Sequence, residues 1–202
     1  MLNRLRGAMT RIFTPVADAL LKRGVSPDAV TITGTVAVVA TALWLLPTGH
    51  FLAAALVIAF FALTDSLDGV MARRAGRSGP WGAFLDSTLD RFGDAAIFTG
   101  LVLWFAGEGD STWGLGAALA CLVLGSVVPY ARARAEGLGM TAQVGIAERA
   151  DRLAAVLVAT AAVGAGLPQV VLVVVLVLLA VASLVTVVQR MVTVRRQAVG
   201  AA

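Results

Sequence analysis

The residues best suited to chemistry are four aspartates that interrupt an otherwise apolar part of the chain. Asp65 and Asp68 end an apolar run that begins at Phe51, and Asp86 and Asp90 open a second one. Because residues three or four apart share a helix face, each pair is predicted to project from one side of its helix. Four facing carboxylates repel one another unless divalent cations lie between them. Oxygen ligands favour Mg²⁺, with Mn²⁺ as the alternative, so the pattern predicts a metal site.

The spacing of these acids follows the pattern D-x2-D-G-x2-A-R-x8-G-x3-D-x3-D. Its other fixed positions are Gly69, Ala72, Arg73 and Gly82. The pattern resembles the signature of the CDP-alcohol phosphatidyltransferases, integral-membrane enzymes that transfer a phosphatidyl group from a CDP-lipid to an alcohol. The alternative is a set of structural salt bridges to the neighbouring arginines, Arg73, Arg74, Arg77 and Arg91. That alternative is less favoured, because acids within a membrane usually mark functional sites.

The resemblance implies a role for each acid. Asp65, Asp68 and Asp86 would chiefly hold two Mg²⁺ ions, and Asp90 would be the general base that also touches a metal. It further implies that the CDP-lipid is held by the start of the first span and by parts of the motif: Asp28, Ala29, Val30, Thr31, Gly69, Arg73 and Gly79. Ser78 is the alternative to Gly79. A side chain at Gly69 would keep the nucleotide off the helix, whereas Gly82 is expected where two helices approach closely.

A second group of charged residues lies in the stretches 129–136 and 145–152. These stretches resemble an actinobacterial branch of the same family, in which the acceptor alcohol is an inositol phosphate. The guanidinium groups that suit its phosphate are Arg132, Arg134, Arg149, Arg152 and, from the last helix, Arg195. Membrane anchoring and helix ion pairs, from Arg132 to Glu136 and from Arg152 to Glu148, remain the alternative.

Composition indicates the fold class. The chain has 202 residues, of which 59% are hydrophobic, and a mean hydropathy of +0.89. We therefore predict an all-α integral membrane protein with six transmembrane helices and an N-terminal amphipathic interfacial helix. The predicted domains are residues 1–23, whose apolar face lies in lipid or on the protein's own core, and the membrane domain, 24–202. The predicted spans are 29–46, 51–74, 86–106, 113–130, 153–163 and a last one ending near Val188.

The distribution of charge predicts orientation. Lysines and arginines fall in segments 4–23, 73–91, 132–152 and 190–196, whereas the loops between hold only His50, Glu108 and Asp110. By the positive-inside rule, both termini and the aspartates face the cytoplasm, in the cell's inner membrane. Because the cations are dispersed, a net charge of +4 does not indicate nucleic-acid binding. Asp94, beyond the motif, is expected to be hydrogen-bonded or paired with an arginine.

These observations predict an enzyme that transfers the phosphatidyl group of CDP-diacylglycerol to a phosphorylated polyol, with inositol phosphate favoured, releasing CMP. Glycerol 3-phosphate is the alternative acceptor, since arginines recognise either phosphate. An intramembrane prenyltransferase also uses aspartates and Mg²⁺, but the motif spacing disfavours it. A non-enzymatic transporter would leave the acids unexplained. The resemblance also implies a homodimer.

Overall fold

The computed structural model describes residues 13–76 and 79–200, apart from the side chains of residues 64–66. Within these residues all regular structure is helical, and no strand occurs among them, which confirms the predicted all-α class. The seven helices of the described chain are α1 (13–22), α2 (Pro27–Leu45), α3 (Phe51–Arg74), α4 (Pro80–Ala106), α5 (Thr112–Glu136), α6 (Arg149–Gly164) and α7 (Val170–Gly200).

Local sequence signals account for most helix ends. α2 begins at Pro27, and the amide of Ala29 donates to the Ser26 hydroxyl at 3.1 Å, as expected of a helix start. After α5 the chain turns at residues 137–139, where Gly139 takes a φ of +76°. The last helix continues beyond the predicted end of its membrane span, near Val188, to Gly200, and so includes Arg195 as predicted. The end of an apolar stretch marks where lipid contact ends, and a helix can continue beyond that point into water.

Four of the described helices, α2, α3, α5 and α7, are long and apolar enough to cross a membrane. Their large apolar side chains are widely exposed, as for Trp44, Phe60, Val123 and Leu178, which is the pattern of lipid-facing surface. α4 carries three aspartates and α6 has only 16 residues. The chain is therefore a multi-pass membrane protein, with four membrane-capable helices in its described part.

The chain divides into two compact units. The first, called the motif unit, comprises the described residues within 1–41 and 56–93 and holds α1 with the first part of α4. In it, α1 packs on α3, where Ala17 is buried against Leu67, Val70 and Met71. The described part of the N-terminal helix thus packs on the protein's own core, one of its two predicted placements.

The second unit, called the arginine unit, comprises residues 42–55 and the described residues within 94–202. Here α7 packs against α5 and α6. Two glycines allow close helix contacts, because an added Cβ at Gly100 would overlap the Ala42 carbonyl oxygen, and one at Gly164 would overlap the Leu52 amide. All five arginines predicted to bind the acceptor belong to this unit.

Candidate active site

α3 and α4 position the acids of the motif unit. Asp68 lies near the end of α3, while Asp86 and Asp90 are one turn apart on α4, and all three are half-buried. The negative charges of Asp86 and Asp90 act on the Asp68 carboxyl group, so the structure brings three of the four predicted acids into electrostatic range. Asp65 belongs to α3, and its side chain lies outside the described ones.

Thr31 connects the start of α2 to this acid cluster. Its hydroxyl is buried and hydrogen-bonds an Asp68 carboxylate oxygen, with the Pro27 carbonyl oxygen 3.2 Å away as a second acceptor. The sequence predicts that Thr31 helps to hold the cytidine, whereas in the structure Thr31 lies beside Asp68. A hydroxyl that donates to a carboxylate fixes its rotamer and leaves the other oxygen to face a ligand.

The donor set of this region fits a hard divalent cation. It consists of carboxylate oxygens, and Mg²⁺ and Mn²⁺ prefer such ligands over nitrogen or sulfur. Among the described side chains, with Asp65 outside them, no group of three His, Cys, Asp or Glu residues converges closely enough to hold a metal. The complete metal site therefore stays a prediction, which the action of the Asp86 and Asp90 charges on the Asp68 carboxyl group supports.

The two motif glycines differ in their surroundings. Among the described atoms, an added Cβ at Gly69 would meet the Arg73 guanidinium alone, with Nη1 at 3.5 Å, which is an ordinary contact. No packing against a described helix therefore requires glycine there, in keeping with close approach by a ligand. At Gly82 no described atom lies within 4 Å of an added Cβ, so the expectation of a close helix contact was wrong.

The start of α2 has one further contact in the motif unit. The indole Nε1 of Trp81 donates to Asp28 at 3.0 Å, and the Trp81 ring lies 6.0 Å from that of Phe84, both being exposed. Trp81 was not singled out from the sequence, because it is 53 residues from Asp28. Of the other predicted CDP-lipid residues, Ala29 and Gly79 are exposed and Val30 is half-buried, while Ser78 lies outside the described residues.

In the arginine unit, two of the arginines predicted to bind the acceptor's phosphate form ion pairs. Arg149 Nε donates to Asp94 at 3.1 Å to one carboxylate oxygen and 3.3 Å to the other. This confirms the expectation that Asp94 is paired with an arginine. Arg132 Nε lies 2.9 Å from Glu136 Oε1, the helix ion pair weighed against a binding role. Arg134 and Arg195 are exposed.

Two arginines of this unit are buried. Arg152 is 3% exposed, and its Nη1 donates to the Ala147 carbonyl oxygen at 3.4 Å. Arg190 is 4% exposed, and it donates to the carbonyl oxygens of Val144, at 2.9 Å, and Val128. The sequence did not identify Arg190 as a site residue, because its partners are backbone groups more than 40 residues away. Its position on a helix face with Thr186 and Gln197 is the one signal that could have found it.

A polytopic helical membrane protein with this aspartate motif on two of its helices indicates a class of membrane transferase, and comparison with known proteins agrees. The family model for CDP-alcohol phosphatidyltransferase matches residues 24–145. The chain belongs to this family and is an enzyme of that class.

Individual relatives have similar sequences along almost the whole chain. The chain is 49% identical to a phosphatidylinositol phosphate synthase of Streptomyces avermitilis over 98% of this chain and 84% of that protein. It is 50% identical to the enzyme of the same name from Cutibacterium acnes, over 97% of this chain and 98% of that protein.

Solved structures agree with these relatives. The crystal structure of Mycobacterium tuberculosis phosphatidylinositol phosphate synthase with CDP-DAG bound matches with a TM-score of 0.88 and 45% identity, covering 91% of this chain and 94% of that one. The same enzyme in complex with manganese and citrate matches with a TM-score of 0.86 and 45% identity, covering 90% and 88%. A close structural relative is thus known in complex with a divalent metal.

Proposed function

We propose that this protein transfers the phosphatidyl group of CDP-diacylglycerol to an inositol phosphate, giving phosphatidylinositol phosphate and CMP. The observation that carries the proposal is the acid cluster of the motif unit, in which Asp86 and Asp90 act on Asp68. It is supported by the name of the relatives, which share about half of their residues with this chain over nearly its whole length. The CDP-DAG-bound relative supports the choice of donor.

The four aspartates would have different roles in this reaction. Asp65, Asp68 and Asp86, with Asp90 as a further ligand, would hold two Mg²⁺ ions, or Mn²⁺, which neutralise the diphosphate and stabilise the departing CMP. Thr31 orients the Asp68 carboxylate. Asp90 accepts the proton of the attacking hydroxyl, and its Oδ2 lies 3.5 Å from Arg91 Nη2.

The start of α2 and the motif would hold the nucleotide. Gly69 leaves its helix face open, and the exposed Arg73 guanidinium beside it can donate to a phosphate. Asp28, fixed by the Trp81 indole, would face the cytidine together with the neighbouring residues of α2 and the loop before α4: Ala29, Val30, Thr31 and Gly79.

The arginine unit would recognise the acceptor's phosphate. Arg134 and Arg152 are the principal candidates, whereas Arg132 forms the helix ion pair with Glu136. Arg149 and Arg195 would assist, the first held in place by Asp94. A guanidinium offers two parallel donors to a phosphate, and unphosphorylated inositol cannot use them.

A turnover assay with several acceptors tests the proposal. Purified protein with CDP-diacylglycerol and Mg²⁺ is given inositol phosphate, inositol, glycerol 3-phosphate or serine, and CMP release is measured. We expect inositol phosphate to be used far better than the others. A preference for glycerol 3-phosphate would keep the chemistry and change the acceptor, whereas no CMP release with any alcohol would contradict the proposal.

We also propose the finer membrane arrangement. Six helices, α2 to α7, would cross the inner membrane as one domain, 24–202, with residues 1–23 at the cytoplasmic interface and both termini and the acids on the cytoplasmic side. The one-sided distribution of Lys and Arg supports this orientation. Cysteine at Glu108 should be labelled from outside intact cells and cysteine at Ser78 should not, and the reverse would contradict it. The exposed apolar faces also favour a homodimer, which crosslinking in membranes would test.

A further inference from the structure

A non-helical segment of the arginine unit, residues 140–148, called the strap below, is bound along one face of α7. At its start, Thr141 and Gln197 form two hydrogen bonds. The Thr141 amide donates to Gln197 Oε1 at 2.9 Å, and Gln197 Nε2 donates to the Thr141 carbonyl oxygen at 2.6 Å. Further along, Arg190 Nε donates to the Val144 carbonyl at 2.9 Å. These side chains of α7 therefore hold backbone groups that no regular structure satisfies.

The end of the strap is held by Thr186, which is fully buried. Its Oγ1 accepts hydrogen bonds from the amides of Ile146, at 3.2 Å, and Ala147, at 3.1 Å, and donates to the Ala182 carbonyl at 2.9 Å. Gly145 reaches it with a φ of +145°, and an added Cβ there would overlap the Thr186 methyl group. One hydroxyl thus fixes two consecutive peptide groups at a closely packed point.

The same peptide segment contacts Arg152, one of the arginines predicted to bind the acceptor's phosphate. While the Ala147 amide donates to Thr186, the Ala147 carbonyl accepts from Arg152 Nη1 at 3.4 Å. We infer that Thr186 is a positioning residue for the acceptor site, because it fixes Ala147 and thereby the Arg152 guanidinium that receives the acceptor's phosphate. This inference rests on the proposed function, in which Arg152 binds that phosphate.

The test compares variants of the full-length enzyme that differ at one hydroxyl. Thr186→Val removes it at nearly constant volume, and Thr186→Ser retains it. Ser183→Ala is the matched control, because Ser183 is buried one turn earlier on α7 and its hydroxyl has no hydrogen-bond partner within the described part of the chain. Should Thr186→Val not fold, Thr186→Ala is compared with Thr186→Ser, since these two differ only by the oxygen atom.

We expect Thr186→Val to raise the KM for inositol phosphate by about ten-fold, the effect of losing one or two hydrogen bonds, with the KM for CDP-diacylglycerol nearly unchanged. Thr186→Ser and Ser183→Ala should resemble the unmodified protein. In an Arg152→Ala background, Thr186→Val should add no further rise, because the effect passes through Arg152.

Additive effects of Thr186→Val and Arg152→Ala, or an equal rise of both KM values, would overturn the inference and leave Thr186 a purely structural residue. Failure of the proposed function is distinguishable from this result. In that case the unmodified protein itself would not use inositol phosphate, whereas here it does so and only the variant pattern differs.

Discussion

The aspartates of the motif unit and the arginines of the arginine unit differ in how their charges are arranged. In the motif unit, like charges are gathered, and Asp86 and Asp90 act on Asp68. In the arginine unit, charges are matched, as Arg149 is by Asp94 and Arg190 by two backbone carbonyls. Gathered like charges destabilise a fold unless a ligand neutralises them, so the first arrangement indicates a cation site. Matched charges stabilise the protein by themselves, so their binding role has to be tested residue by residue.

The largest expected effect follows from removing the cation. Chelation should abolish CMP release, and Mg²⁺ or Mn²⁺ should restore it, because the gathered acids cannot otherwise accept a diphosphate. The measurement is turnover before and after adding each metal back. Undiminished turnover in the presence of chelator would mean that the acids act without a metal. The like charges of the motif unit would then not indicate a cation site.

Asp90→Asn should lower turnover by about 10²–10⁴, the usual contribution of a general base. Binding of CDP-diacylglycerol should remain measurable, because the other acids still hold the metal. The same change at Asp94 is the control. It removes a partner of Arg149 in the arginine unit and should have a much smaller effect on turnover. If Asp90→Asn abolished metal binding instead, Asp90 would be chiefly a ligand.

Thr31→Val should weaken metal binding by about 10–100-fold, the usual cost of losing a partner that orients a ligand. The physical reason is the hydrogen bond from Thr31 to Asp68, and Thr31→Ser, which retains the hydroxyl, is the matched control. Binding is measured directly with Mn²⁺ in detergent, without reference to activity. Equal affinities for the two variants would show that the hydroxyl does not orient the acid.

The smallest effect is expected at an exposed ion pair of the arginine unit. Glu136→Gln should change the free energy of unfolding by no more than about 0.5 kcal/mol, because Arg132 and Glu136 form a solvent-exposed pair on one helix. Thermal unfolding in detergent measures it. A larger loss would mean that this pair is a structural element of the unit.

Local sequence signals predicted the helices well, and distant pairs poorly. The helix start at Ser26 and the aspartate spacing depend on residues within a few turns of one another. The contacts of Thr31 with Asp68 and of Thr186 with Ala147 join residues more than 35 positions apart. Which side chains meet across helices depends on packing, and neither periodicity nor composition records it. The same reason explains the incorrect expectation at Gly82, which has no neighbouring helix within 4 Å of an added Cβ in the described part of the chain.

A comparison of Asp68→Asn with Arg152→Ala tests whether the motif unit binds the donor and the arginine unit the acceptor, because each variant changes one unit. Steady-state CMP release is measured while either CDP-diacylglycerol or inositol phosphate is varied. We expect Asp68→Asn to impair metal-dependent use of CDP-diacylglycerol, whereas Arg152→Ala should raise only the KM for inositol phosphate. If both variants impaired the use of both substrates alike, the assignment of the donor to the motif unit and the acceptor to the arginine unit would be contradicted.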